Sequence, residues 1–140
     1  MPLTEEARNF NWLLSNFVDE TAGVTDAVAV SSDGLLIARS STLDLREGEQ
    51  VSAIISGCAS LAEAADRALD SGGLERVIVA MHLGFLFVCS MADGSCLGIV
   101  ATRDCDVGSV GYQTTELVYR AGELLTPALR EELKTYAASS

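Results

Sequence analysis

A chain of 140 residues with 49% hydrophobic and 21% charged residues has the make-up of one folded domain with a single core, not of a disordered segment. Its formal net charge is −11, from 20 acidic against 9 basic residues. The basic residues form no cluster, which argues against a nucleic-acid or anionic-membrane surface; the acid excess either aids solubility or suits a basic partner. No stretch reaches the roughly 18 apolar residues of a membrane span, and the start Met-Pro-Leu-Thr-Glu-Glu lacks the features of a signal peptide. A cytoplasmic location without direct membrane insertion is therefore expected. Cys58, Cys89, Cys96 and Cys105 contain no C-x-x-C pair and have only His82 to join them. No metal or other cofactor is expected; buried reduced thiols are the plain reading.

In chain order, Thr4 is placed to cap a first helix, with Glu5 and Glu6 suited to its positive end. Ala7, Phe10, Leu13, Leu14, Phe17 and Val18 make its buried stripe, and Thr21-Ala22-Gly23 ends it. Trp12 falls off the stripe, towards Arg8 and Asn16, where it is either a contact residue or packed under a terminal segment. Thr25 to Ser31 and Leu35 to Ser40 read as two strands, with Asp33-Gly34 as the hairpin turn.

Asp44 to Gly73 reads as one long helix. Asp44 and Glu47 have capping-box spacing, and Ser71-Gly72-Gly73 provides the stop. Val51, Ile54, Ile55, Cys58, Leu61, Ala62, Ala65 and Leu69 form a large apolar stripe, expected to pack on the sheet. Ala53, Gly57, Ser60, Ala64 and Ala68 form a second row in which every member is small. Mid-helix Gly57 costs about 1 kcal/mol relative to alanine, so close approach of another backbone is one explanation; an alanine-rich face turned to water is the other.

Three more strands are expected, at Arg76 to Leu83, Phe85 to Met91 and Cys96 to Thr102, with turns at Gly84 and Asp93-Gly94. Phe85, Phe87 and Cys89 alternate with Leu86 and Val88, so both faces are apolar. Antiparallel sheets usually leave one face wet, so helices or a partner are expected on both sides. A polar loop from Asp104 to Gly111 leads into a third helix marked by Val110, Thr114, Leu117, Val118, Ala121, Leu124 and Leu125. Thr126-Pro127 opens a short last helix carrying Leu129 and Leu133. The predicted fold is α+β: a five-stranded, mostly antiparallel sheet with helices on both faces, one domain over residues 1–140 with its core at about 4–130.

This order resembles the roadblock/light-chain-seven family, in its actinobacterial form. The local signatures are Asp19-Glu20-Thr21-Ala22-Gly23-Val24, Ala29-Val30-Ser31-Ser32-Asp33-Gly34-Leu35, Ala59-Ser60-Leu61-Ala62 and Gly98-Ile99-Val100. The resemblance implies a roadblock/profilin-like fold without catalytic residues of its own. It implies a homodimer built by the long helices and by the strand after them, here through Ala53, Gly57, Ser60, Ala64, Arg76 and Ile78. It implies a small Ras-like GTPase as partner, in some cases with hydrolysis stimulated, and a sensor-kinase-like membrane protein nearby. Several platform members carry an extra terminal segment or lipid anchor; neither is expected here, so membrane recruitment is expected to need a partner. Trp12, Arg46, Glu63, Asp66, Arg67 and Arg103 are the candidate partner contacts.

Other chemistry has little support. No G-x-x-x-x-G-K-[ST] phosphate loop or G-x-S-x-G elbow occurs, and Lys134 is the only lysine. Ser56-Gly57-Cys58 and Gly94-Ser95-Cys96 place nucleophiles beside glycines, but His82 alone would have to serve them. Arg46 and Arg103 are candidates for an arginine supplied in trans to a GTPase, with a solvated surface arginine the plainer reading for each. The alternative function is a small-molecule sensor whose pocket lies between sheet and helix, lined by Phe85, Phe87 and Met91; it requires a cavity of about 300 Å³ or more.

Overall fold

The computed structural model describes residues 3–139; Met1, Pro2 and Ser140, the ends of the expected 1–140 domain, lie outside the described residues. The elements run α1 (Glu5–Glu20), β1 (Val24–Val30), β2 (Leu36–Arg39), α2 (Leu45–Leu69), β3 (Val77–Met81), β4 (Gly84–Ser90), β5 (Cys96–Thr102), α3 (Val107–Leu124) and α4 (Pro127–Ser139). The five strands form one sheet in the order β2-β1-β5-β4-β3, and every neighbouring pair is antiparallel.

Period-two alternation divides the interior into two cores. Ala27, Ala29, Phe85, Phe87, Leu97 and Ile99 point to one side, where Phe10 and Leu14 of α1 and Leu117 and Ala121 of α3 cover them. Val28, Val30, Leu86, Val88 and Cys96 point to the other, under Ile55 and Ala59 of α2. Fully burying a side chain such as Phe87 or Leu97 stabilises by about 1.5–3 kcal/mol, so each helix layer is held by several such terms. The helix α2 rides close on the sheet at Gly98, where an added Cβ would lie 2.1 Å from Ile55 Cδ1.

The ends of the elements follow their caps. Asp44 Oδ1 accepts the Glu47 N–H at 2.8 Å and Glu47 Oε1 accepts the Asp44 N–H at 3.1 Å, so the capping box of α2 is complete. The stop comes earlier than the glycine pair suggested. Asp70 itself takes the left-handed conformation at φ 50°, and Asp66 Oδ1 accepts the Gly73 N–H at 2.9 Å beyond it. The third helix begins at Val107, not after Gly111, because Asp106 accepts the Ser109 N–H and caps it. The third strand is shorter than Arg76 to Leu83, since Met81 pairs with Gly84 and leaves only His82 and Leu83 to make the turn.

The two sheet edges differ. The last helix packs along β2, with Leu129 and Leu133 in the first core and Ala137 against the second. Ion pairs from Arg130 to Asp93 and from Lys134 to Asp33 tie α4 to the two Asp-Gly turns. No strand or helix of the described residues lies beyond β3, whose outer edge is bare.

Candidate functional site

The helix α2 turns an unusual face outward. Its fully buried residues are Gly48, Ser52, Ile55 and Ala59. At about 100° per residue, Gly57 sits opposite that row, and Ala53, Gly57, Ser60, Ala64 and Ala68 are all exposed. This corrects the expected packing stripe. Val51, Cys58 and Ala62 flank the buried row, but Ile54 and Leu69 are exposed and Leu61 is 76% exposed. Large apolar side chains thus border the small row on the open side.

The bare edge of β3 lies beside this face, joined to α2 through Val77 and Val79 in the second core. Ile78 and Met81 are exposed on the strand, and Leu83 at the hairpin tip is 92% exposed. Arg76 is not free: its Nη2 donates to Thr115 Oγ1 at 3.2 Å, and its guanidinium occupies the space that a side chain at Gly111 would need. Of the six candidate interface residues, then, Ala53, Gly57, Ser60, Ala64 and Ile78 lie on accessible surface, whereas Arg76 is half-buried against α3.

The candidate partner contacts are not gathered in one place. Trp12 is 61% exposed on α1, across the sheet from α2, and borders a shallow cleft with Arg120 and Leu124. Arg46 is exposed in the first turn of α2 and Arg67 in the last. Glu63 accepts a long hydrogen bond from the Ser90 hydroxyl at 3.5 Å, while Asp66 is engaged with Gly73. Arg103 stacks its guanidinium 4.8 Å over the Phe85 ring, a cation–π contact worth about 0.5–1 kcal/mol at exposed sites.

The reactive groups named from the sequence sit in different environments. Burial pushes the Cys89 and Cys96 thiols up from their ordinary range, which disfavours the thiolate at neutral pH. His82 is exposed in the β3–β4 turn. Among the described residues no three His, Cys, Asp or Glu side chains gather into a metal-binding group, and no helix is long and apolar enough to cross a membrane. Phe85, Phe87 and Met91 are buried in the first core, so the pocket suggested for them is filled by packing. An open cleft of about 480 Å³ does exist, between the end of β4 and α3, bordered by Glu75, Cys89, Val118, Tyr119 and Glu123. Sequence reading missed it because residues 75, 89 and 123 meet only in the fold, and no local pattern joins them.

These features define a class: an α+β module with helices on both faces of one antiparallel sheet, a bare small-residue helix face and a bare strand edge. Residues 10–101 match the model of the Roadblock/LC7 domain. A Roadblock/LC7 domain from Streptomyces avermitilis is 32% identical, with a TM-score of 0.74 over 79% of this chain and 92% of that one. The chain belongs to the Roadblock/LC7 domain family. At the level of fold alone it is also similar to MglB of Myxococcus xanthus, at 10% identity and TM-score 0.77 over 90% of this chain and 97% of that one. Profilin IB of Acanthamoeba castellanii shares the fold at 15% identity and TM-score 0.56, over 83% of this chain and 99% of that one. A search among curated proteins finds no sequence match.

Proposed function

We propose that this Roadblock/LC7 domain is a non-catalytic module that pairs with a second copy of itself and binds a small Ras-like GTPase. The observation that carries the reading is the outward face of α2 beside the bare edge of β3. Leu61, Ile54 and Leu69 on the helix and Met81 on the strand are exposed, while Ile78, opposite Phe87, is exposed on the other face of the sheet. Covering such side chains is worth about 1.5–3 kcal/mol each when burial is complete. The Gly57 position, where a Cβ would meet nothing within 4 Å in the single chain, lets two such helices approach closely. A bare strand edge is a template for pairing, and a two-fold pairing of β3 with its copy satisfies it while extending the sheet across both subunits.

Family membership supplies the GTPase half of the reading. The chain has no phosphate loop of its own, so nucleotide would be held by the partner. Arg46 is available to reach a partner; Arg103 would first have to leave the Phe85 ring. In this reading the dimer works in the cytoplasm and is recruited to the membrane through a sensor-kinase-like protein.

The test is a titration of the purified chain into a Ras-like GTPase encoded beside it, loaded with GDP or with a non-hydrolysable GTP analogue, with single-turnover hydrolysis read in parallel. Preference for one nucleotide state supports the reading, and faster hydrolysis makes the module an activating partner. Absence of binding to both states overturns it.

A further inference from the structure

The cleft of about 480 Å³ between the end of β4 and the C-terminal half of α3 is within the size range of small-molecule sites, about 300–1,000 Å³. Its wall includes Ala92, Val118 and Cys89. Cys89 is only 4% exposed, and its thiol makes no hydrogen bond among the described residues, so it serves as a small apolar group. Glu75 enters from the strand side and Glu123 from α3. Both are exposed, and neither makes an ion pair among the described residues. Of the nearby cations, Arg76 is held by Thr115 and Arg120 borders the adjoining cleft that Glu123 also lines, so neither is ion-paired with the two carboxylates.

A mainly apolar wall with two unpaired carboxylates recognises charge at one end and hydrocarbon at the other. We propose that this cleft binds a small organic cation, an ammonium group carried on an apolar body, with the ammonium held by Glu75 and Glu123 and the body against Val118, Ala92 and Cys89. All of the lining comes from one chain, from β4 and the turn after it, α3 and the segment before β3, so the proposal does not rest on the pairing of two copies or on GTPase binding.

The experiment is an NMR titration of the isotope-labelled full chain with three probes of one shape: phenethylammonium, 2-phenylethanol and 3-phenylpropionate. Saturable shifts are expected at the amides of Ser90, Thr115 and Tyr119, with the cation bound about fivefold or more tighter than the neutral probe. Added salt weakens the cation and not the alcohol. Glu75→Gln and Glu123→Gln each lower cation affinity about two- to fivefold. Gly122→Leu removes binding by filling the cleft. Gly122 is helical and an added Cβ there meets nothing, so this variant keeps or gains helix stability and its loss of binding is not a loss of fold. Equal or tighter binding of the neutral or anionic probe, shifts away from the cleft, or cation binding that survives Gly122→Leu overturns the proposal; so does the absence of saturable shifts at millimolar phenethylammonium.

Discussion

Replacing Gly57 by leucine separates the fold from the assembly. Within one chain the change is harmless, because a Cβ at Gly57 meets nothing within 4 Å and the position is exposed in the middle of a 25-residue helix. Leucine is the better helix former by about 0.8 kcal/mol, so the isolated domain should be as stable or slightly more so. In a close-packed pair of α2 helices the same side chain has no room. Overpacking costs about 1–3 kcal/mol per site, and a two-fold axis brings in both copies, giving about 2–6 kcal/mol against the dimer. With a tenfold change for every 1.4 kcal/mol, the dimer dissociation constant rises about thirtyfold or more. Light scattering over a dilution series down to low micromolar concentration reads the mass, and urea unfolding at high dilution reads the stability of the single chain. Loss of the dimer with unchanged or raised chain stability is the expected pair of results. An unchanged mass across the series, with a dissociation constant within about threefold of the parent, would place the interface elsewhere and refute the close-approach argument.

Two further outcomes test the packing from the opposite side. Gly98→Ala should destabilise the fold by about 1–3 kcal/mol, since the new Cβ would lie 2.1 Å from Ile55 Cδ1. Combining it with Ile55→Val should recover part of that loss in urea unfolding, and a fully additive double variant would show that the two groups do not clash. The second outcome concerns acid. Burial alone pushes the Asp93 carboxyl up, but the Ser95 backbone N–H, the Arg130 guanidinium and the Ser95 hydroxyl outweigh it and hold the group below its usual 3.8. A carboxyl lowered in the folded state contributes stability above the unfolded value, and that contribution is lost as pH falls from about 4 through the folded value. Arg130→Ala should cost about 0.2–1 kcal/mol at neutral pH and flatten the loss of stability below about pH 4. An equally steep acid limb in the variant would remove the Arg130–Asp93 pair as its cause.

The sequence by itself determined the parts and their order. Asp44 and Glu47 marked the start of α2 because the capping box is a local hydrogen-bond exchange, and the two apolar faces of Phe85 to Cys89 called for helices or a partner on both sides because strand side chains alternate strictly. The Asp-Gly turns and the signatures from Asp19 to Val24 and from Ala29 to Leu35 pointed to the family that residues 10–101 confirm. Tertiary structure decided what those parts turn towards each other. Hydrophobic periodicity on α2 could not separate Ile55, which is fully buried, from Leu61, which is not, because one helix carries apolar residues both for its own sheet and for its open side. Gly48 and Ser52 are buried although neither is apolar. Gly48 leaves room for Arg39 and Leu36, and the Ser52 hydroxyl bonds back to the Gly48 carbonyl at 2.8 Å, so close fit rather than hydropathy sets that face. The screened β2 edge, the bare β3 edge and the cleft between Glu75 and Glu123 likewise follow from residues far apart in the chain, whose meeting is a property of the packed sheet and not of any local stretch.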